Sequence, residues 1–333
     1  MKNRVLVTGG CGFIGTHVTL SLLSQGYQVH VVDDMSGCDP ADFYAALPDM
    51  KVRQVPTFLV NAWEQQGAES EDADVVVFTG DFASGEIIRR VLQVKYDAVI
   101  HLAAEPRVVH TVNFPVSSYD NNLQSSIALF HACAKSSTRL VFASSAAVYG
   151  NIENVGAVRE DMSPGVIGSP YALQKRQCEE VIELFSRLYN LSGVSLRFFN
   201  VYGEGQKGDS PYSTVIASWV ERINSNKPLR LDGDGTQTRD YIHVTDVARA
   251  CVLAVESDVS GSINIASGFC VSNNEILSLL ANYAQVEVEH APPRVGDIKN
   301  SLASVDKATK LLDFKSVIDI HSGIAAIMRS YDG

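Results

Sequence analysis

The sequence predicts an α/β protein built on a doubly wound parallel sheet, with a smaller, loop-rich domain toward the C-terminus. Three observations predict it. Short β-branched runs alternate with amphipathic stretches through the first two-thirds of the chain, and a glycine-rich turn joins the first run to the first amphipathic stretch. After Asn200 the texture changes to Gly, Pro and short mixed elements.

Taken in order, strands are predicted at residues 4–8, 28–33, 74–79, 98–103, 139–144 and 194–199. The near-continuous apolar run Val75, Val76, Val77, Phe78 suits a strand buried on both faces. Helices are predicted at 15–25, 84–93, 117–135 and 169–189, and a further one at 246–256 has Thr245 as its N-cap. Residues 35–73 are long for a single crossover, and Pro40, Pro48, Pro56 and the acidic stretch at 69–74 predict an excursion over the surface. Residues 263–266 return to the sheet. The expected division is a first domain of residues 1–200, its sheet completed by about 239–268, and a second of 201–238 and 269–333.

A chain of 333 residues, 46% of them hydrophobic, buries a sizeable core. Its apolar stretches are interrupted far short of the ~18–20 residues of a membrane span, and the run after Arg4 ends at Gly9 and Gly10, too early for a signal peptide. A soluble cytoplasmic protein is expected. The six cysteines show no C-x-x-C pair, which argues against a zinc site or a disulfide framework. With 27 Lys plus Arg against 38 Asp plus Glu, the net charge of −11 opposes binding to nucleic acid or an anionic membrane. An anionic ligand therefore needs a local, pre-arranged site.

One such site follows the first strand. In Thr8-Gly9-Gly10-Cys11-Gly12-Phe13-Ile14-Gly15, glycines 9, 12 and 15 have G-x-x-G-x-x-G spacing and the segment opens a helix. Glycine permits a tight turn and lets a pyrophosphate approach the backbone N–H groups and the positive end of the helix dipole. Asp33 ends the second strand eighteen residues after Gly15. There a carboxylate accepts hydrogen bonds from the adenosine ribose and repels a 2′-phosphate, which selects NAD over NADP. The pattern is that of a Rossmann-type fold. Asp81, in Thr79-Gly80-Asp81-Phe82, is placed to meet the adenine, whereas Asp34 reads as a solvated loop carboxylate.

A second set of residues points to proton transfer. Tyr171 and Lys175 lie at i and i+4 near the start of a predicted helix, on one face. A neighbouring ammonium favours phenolate and lowers a tyrosine pKa toward working pH. Such pairs are ordinary on helix surfaces, so the reading leans on Ser145 at the end of the fifth strand. In open α/β sheets, ligands bind beyond the carboxyl ends of the strands, which brings Ser145, the glycine turn and this helix around one crevice.

With these motifs, the segments His101-Leu102-Ala103-Ala104, Arg197-Phe198-Phe199-Asn200-Val201-Tyr202-Gly203 and Arg239-Asp240-Tyr241-Ile242-His243-Val244 resemble the NAD-dependent sugar epimerase/dehydratase family of extended short-chain dehydrogenases/reductases. The likeness runs from about Arg4 to Lys307 and is nearest to the UDP-hexose 4-epimerases. It implies bound NAD, contacted by Gly9, Gly12, Phe13, Ile14, Gly15, Asp33, Asp81, Phe82, Leu102, Ala103, Ala104 and Asn122. It makes Tyr171 the base, Lys175 its partner on the cofactor ribose, and Ser145 a second substrate contact. Asn200 would hold a sugar diphosphate, Arg239 and Arg294 would clamp its pyrophosphate, Asp297 would meet the nucleotide ribose, and Thr111 would face the sugar. A homodimer pairing the predicted helices 117–135 and 169–189 with their mates is also implied.

For the reaction, the resemblance implies oxidation of the sugar at C4, rotation of the 4-keto sugar, and reduction from the opposite face. Dehydration or decarboxylation begins in the same way. Dehydratases of the family carry an Asp-Glu pair after the active-site Ser/Thr; here those positions are Ala146 and Ala147, which leaves elimination without its general acid and base. A non-catalytic NAD-binding sensor or scaffold would be expected to lose Tyr171 or Lys175, and both are present. Ser301 stands where some 4-epimerases of the family carry a bulky tyrosine, which implies room for an N-acetyl group and hence UDP-N-acetylglucosamine as substrate, with UDP-glucose as a second one.

Overall fold

The computed structural model describes residues 3–65, 73–152, 156–208, 213–293 and 299–331. Fourteen strands occur among them: β1 (Arg4–Thr8), β2 (Gln28–Asp33), β3 (Val52–Pro56), β4 (Val75–Thr79), β5 (Ala98–His101), β6 (Arg139–Ser145), β7 (Gly193–Phe198), β8 (Asn200–Tyr202), β9 (Leu229–Asp232), β10 (Thr238–His243), β11 (Gly261–Ile265), β12 (Cys270–Ser272), β13 (Val288–Ala291) and β14 (Asn300–Ser301). The six expected strands of the large sheet all form, each within two residues of its predicted ends. Two units divide the chain: Met1–Val148 with Ile167–Arg197 and Ala248–Ile263, and Tyr149–Val166 with Phe198–Val247 and Asn264–Gly333.

The first unit carries an eight-stranded sheet in the order β11-β7-β6-β5-β1-β2-β4-β3. Its ladders from β6 to β3 are parallel. The chain fills one side of β1 with β2, β3 and β4, then crosses to β5 on the other side. The order therefore reverses between β1 and β5, and open α/β sheets bind ligands beyond the carboxyl ends of the strands at such a reversal. Val5, Leu6 and Val7 are wholly buried, as a strand covered on both faces requires. On one face Leu129, Phe130 and Ile182 pack with Leu140 and Phe142 in a single apolar cluster.

Three expectations are corrected here. Residues 35–73 are more than a surface excursion, because β3 within them pairs in register with β4 and forms the edge of the sheet. Its short Val-Arg-Gln-Val-Pro sequence alternates too weakly to be read as a strand. The helix expected at 117–135 is broken into Pro115–Tyr119, a π turn at Asp120–Ser125, and Ser126–Ser136. Within the π turn the Asn122 carbonyl accepts from Ser126 Oγ at 2.8 Å and Cys178 Sγ at 3.3 Å, side-chain donors that take part of its bonding capacity. Thr245 is not an N-cap: the helix Val244–Val255 begins before it, directly after β10, and its backbone N–H donates to His243 Nδ1 at 3.3 Å.

In the second unit β8, β12 and β14 all pair with β10, and β9 pairs with β13. Of residues 239–268, expected to complete the large sheet, β11 joins it, whereas β10 forms the centre of a small one. Trp219, Tyr202, Ile276 and Ile324 meet in its core. No helix among the described residues is long and apolar enough to cross a membrane.

Candidate active site

The glycine turn is shaped by what its missing side chains would strike. Gly9 has φ +67°, and a Cβ there would lie 2.8 Å from the Ala103 backbone; one on Gly15 would lie 2.2 Å from the Gly9 carbonyl oxygen. These two glycines let the turn, the loop after β5 and the helix Phe13–Ser24 close on one another. Gly12 differs, because a Cβ there would meet only the Gly9 oxygen at 3.4 Å. It occupies the N-cap position with no side-chain cap, so the first N–H groups of the helix lack a side-chain acceptor. An uncapped helix N-terminus with an open approach fits a dinucleotide pyrophosphate.

Asp33, half-buried at the end of β2, accepts from the Cys11 N–H at 2.9 Å through Oδ2 and from the Met35 N–H at 2.9 Å through Oδ1. Burial raises its pKa and the two backbone bonds oppose the rise. Each oxygen retains acceptor capacity for a ribose hydroxyl. Leu102, Ala103 and Ala104 follow β5 half-buried, with the Leu102 N–H on the Thr8 carbonyl at 3.1 Å. Phe13 and Ile14 are half-buried in the first turn of the helix, and Asp81 is exposed with its carboxylate on the Ala83 N–H at 2.8 Å. Phe82 is buried in the core against His101, with ring centroids 4.9 Å apart, so its backbone is what it offers a ligand.

The proton-transfer residues sit on two adjoining elements. Ser169 caps the helix Pro170–Tyr189 by accepting from the Ala172 N–H at 3.2 Å, and Pro170 takes the first helical position. That start places Tyr171 and Lys175 one turn apart on the helix beside β6. The Ser145 hydroxyl lies near enough to the Tyr171 phenol to favour its ionised form. Lys175 is buried, donates from Nζ to the Ala143 carbonyl at 2.7 Å, and lies 4.7 Å from the Phe142 ring and 5.9 Å from the Tyr171 ring. Burial pushes its pKa down to about 8, against the charges of Cys178 and Glu179.

The expected depression of the Tyr171 pKa does not appear in the protein alone. Burial raises it, and the nearby Ser145 hydroxyl only partly offsets the rise. The Lys175 ammonium is turned to the Ala143 carbonyl, so its charge acts on the phenol from a distance.

Asn122 and Thr111 are both engaged by protein partners. Asn122 is buried with its amide committed: Nδ2 donates to Gln174 Oε1 at 2.8 Å and to the Glu105 carbonyl at 3.1 Å, and Oδ1 accepts from the Glu105 N–H at 2.7 Å. Thr111 is wholly buried, donating to the Val108 carbonyl and accepting from the Tyr171 N–H at 3.3 Å. Both hold the frame around Tyr171 rather than presenting free polar atoms. Gln174, wholly buried and unremarked in the sequence, completes this frame by donating to Ser118 Oγ at 2.8 Å. Its only sequence signal was a polar residue on the inward face of a helix.

In the second unit, Asn200 on β8 donates to the Asp240 carbonyl at 3.0 Å. Arg239 and Ser301 are paired across β10 and β14, both half-buried, and the Ser301 carbonyl accepts from Cys270 Sγ at 3.3 Å. Asp240, fully buried, takes hydrogen bonds from Ser267, Gly268 and Ala303 and so fixes the turn beyond β11. Arg294 and Asp297 lie outside the described residues.

A strand-order reversal, an uncapped glycine turn, a carboxylate at the end of β2 and a Ser-Tyr-Lys set together define an NAD-dependent enzyme of the short-chain dehydrogenase/reductase type. The sequence profile of the NAD dependent epimerase/dehydratase family matches residues 5–266. The chain belongs to that family, and its cofactor is NAD. It is 31% identical to a UDP-glucose 4-epimerase of Azospirillum brasilense, over 98% of this chain and 90% of the relative. Among solved structures, it is similar to the UDP-N-acetylglucosamine 4-epimerase of Methanobrevibacter ruminantium in complex with UDP-N-acetylmuramic acid, with TM-score 0.85 and 29% identity over 100% of this chain and 99% of that one. The Thermus thermophilus UDP-glucose 4-epimerase in complex with NAD matches with TM-score 0.82 and 31% identity, covering 99% of each chain.

Proposed function

We propose that this protein is a UDP-sugar 4-epimerase that interconverts UDP-N-acetylglucosamine and UDP-N-acetylgalactosamine, and UDP-glucose and UDP-galactose as a second pair. The observation that carries the reading is Ser145 beside Tyr171, with Lys175 one turn further along the helix of Tyr171 and alanines at the two positions after Ser145. It provides for proton exchange at a hydroxyl and lacks the carboxylates that elimination needs.

NAD, when bound, takes and returns the electron pair at C4 of the sugar. Tyr171 Oη receives the proton of the 4-hydroxyl and gives it back after inversion. The Ser145 hydroxyl bridges phenol and sugar oxygen. Lys175 stabilises the phenolate and holds the cofactor ribose. Because burial keeps the Tyr171 phenol protonated in the protein alone, the base forms only when the positive charges around it outweigh that burial. Asn200, Arg239, Arg294 and Asp297 anchor the nucleotide diphosphate while the keto sugar turns, and the small Ser301 leaves space for an N-acetyl group.

The proposal includes a homodimer. Val109, Val112, Phe114 and Val116 are exposed on the segment that packs beside the helix Pro170–Tyr189, and Leu184 and Leu188 are exposed on that helix, an apolar face suited to a mate. Light scattering at micromolar concentration should give twice the chain mass; a monomer rejects this part. Incubation with each UDP-sugar, followed by proton NMR of the anomeric and C4 signals, tests the activity. C4 inversion of UDP-N-acetylglucosamine is expected, and a 4-keto-6-deoxy product would replace epimerase by dehydratase.

A further inference from the structure

Glu179 lies on the helix Pro170–Tyr189, eight residues beyond Tyr171 and four beyond Lys175. At 1.5 Å per residue it sits about 12 Å and about 6 Å further along the axis. Its carboxylate is nearly buried and accepts from Ser144 Oγ at 2.5 Å, from Arg197 Nε at 3.0 Å and Nη2 at 2.7 Å, and from Ser262 Oγ at 3.0 Å. Ser144 precedes Ser145 on β6, Arg197 is on β7 and Ser262 is on β11, three strands that neighbour one another in the sheet. One carboxylate thereby joins the helix of Tyr171 and Lys175 to the strand of Ser145 and the two strands beyond it.

Helix-to-sheet adhesion does not require this arrangement. Taking a carboxylate and a guanidinium out of water is costly, and an apolar side chain of similar volume often serves stability as well. A fork flanked by two hydroxyls supplies what an apolar contact lacks, a fixed direction and a fixed register. It also supplies charge. The groups facing Lys175 are Tyr171, Cys178 and Glu179 on its own helix, His101 on β5, and the Phe142 ring and Ala143 carbonyl on β6. Burial and the nearby Lys175 charge push the His101 pKa down to about 3, so the ring is neutral at working pH. Of these groups Glu179 is the carboxylate, and it is itself paired with Arg197.

We propose that Glu179 is a positioning residue for the reaction, setting the register of the Tyr171–Lys175 helix against the strand of Ser145 and placing a negative charge one turn beyond Lys175. This rests on the reading that Tyr171 and Lys175 carry the proton. Two variants separate its parts. Ser144→Ala removes the link to β6 and leaves the Glu179–Arg197 pair. It should lower kcat about 10-fold, the scale of a small misplacement of reacting groups, with KM and the pH profile unchanged; Ser144→Thr should restore kcat. Glu179→Gln removes the charge, so the Lys175 ammonium is lost at lower pH and the alkaline limb of kcat should move down by about one unit.

Tyr171→Phe is measured alongside. If Tyr171→Phe is inactive while Ser144→Ala keeps wild-type kcat, or a folded Glu179→Gln keeps the wild-type alkaline limb, the positioning role is overturned and the proton-transfer reading stands. An active Tyr171→Phe overturns both. Should Glu179→Gln fail to fold, Ser144→Ala alone decides the register, and wild-type kcat there ends the proposal.

Discussion

The two units of the chain hold their polar residues in opposite ways. In the first, Tyr171, Gln174, Lys175 and Glu179 share one twenty-residue helix, and the groups around Tyr171 are closed into a buried network: Thr111 on the Tyr171 N–H, Asn122 on Gln174, Lys175 on the Ala143 carbonyl, Glu179 on Arg197. In the second, Asn200, Arg239 and Ser301 stand on strands of three, six and two residues, and the buried Asp240 carboxylate holds the backbone of Ser267, Gly268 and Ala303 beside them. Proton transfer demands geometry fixed to a fraction of an ångström. Selection among sugars depends on pocket shape, which short strands and loops change without disturbing a sheet. Changes in the first unit should therefore act on every substrate alike, and changes in the second on one substrate against another.

The largest expected effect is Tyr171→Phe, which should lower kcat at least ~10²-fold, the usual scale for a general base, for both sugar pairs equally. Unequal losses would show that the first unit also discriminates between sugars.

Next in size is a stability effect. The folded Lys175 pKa of about 8 lies below its ordinary 10.5, so the folded protein binds fewer protons than the unfolded chain between those values. Stability from this group is fully present above about 10.5 and is lost as pH falls through about 8. The difference corresponds to about 3 kcal/mol at neutral pH. Lys175→Met should thus raise Tm by several degrees at pH 7 while removing activity, and the gain should vanish near pH 10.5. A fall in Tm at pH 7 would show that the ammonium stabilises the fold.

A smaller effect is expected at Asp33. Two like charges at ~4 Å repel by about 1–4 kcal/mol, so NADP should bind about tenfold or more weakly than NAD, as read by calorimetry. Equal affinities would remove Asp33 from the ribose site. Smallest is Ser301→Tyr, which should reduce kcat/KM for UDP-N-acetylglucosamine several-fold and leave UDP-glucose nearly unchanged. An unaltered N-acetylated rate would shift substrate selection to another residue.

Much of the first unit was legible from residue order, because its signals are local. The apolar runs of β1, β2 and β4 mark strands buried on both faces, and Ser169-Pro170 marks where the helix of Tyr171 must begin. The edge strand β3 was missed since an edge position needs no continuous apolar run. The π turn at Asp120–Ser125 was missed since its carbonyl partner Cys178 lies 56 residues from Asn122.

By itself, then, the sequence determined the Rossmann-type sheet, the glycine turn with Asp33, and the spacing of Tyr171 and Lys175, all set by period and local backbone chemistry. Tertiary structure decided how the polar groups are used. Asn122 and Thr111 brace the frame, Phe82 is core, and Tyr171 is held protonated by burial. Glu179 meets Ser144 and Ser262, 35 and 83 residues away. Whether a polar side chain faces a ligand or a neighbour depends on partners that only the folded chain brings within hydrogen-bond reach.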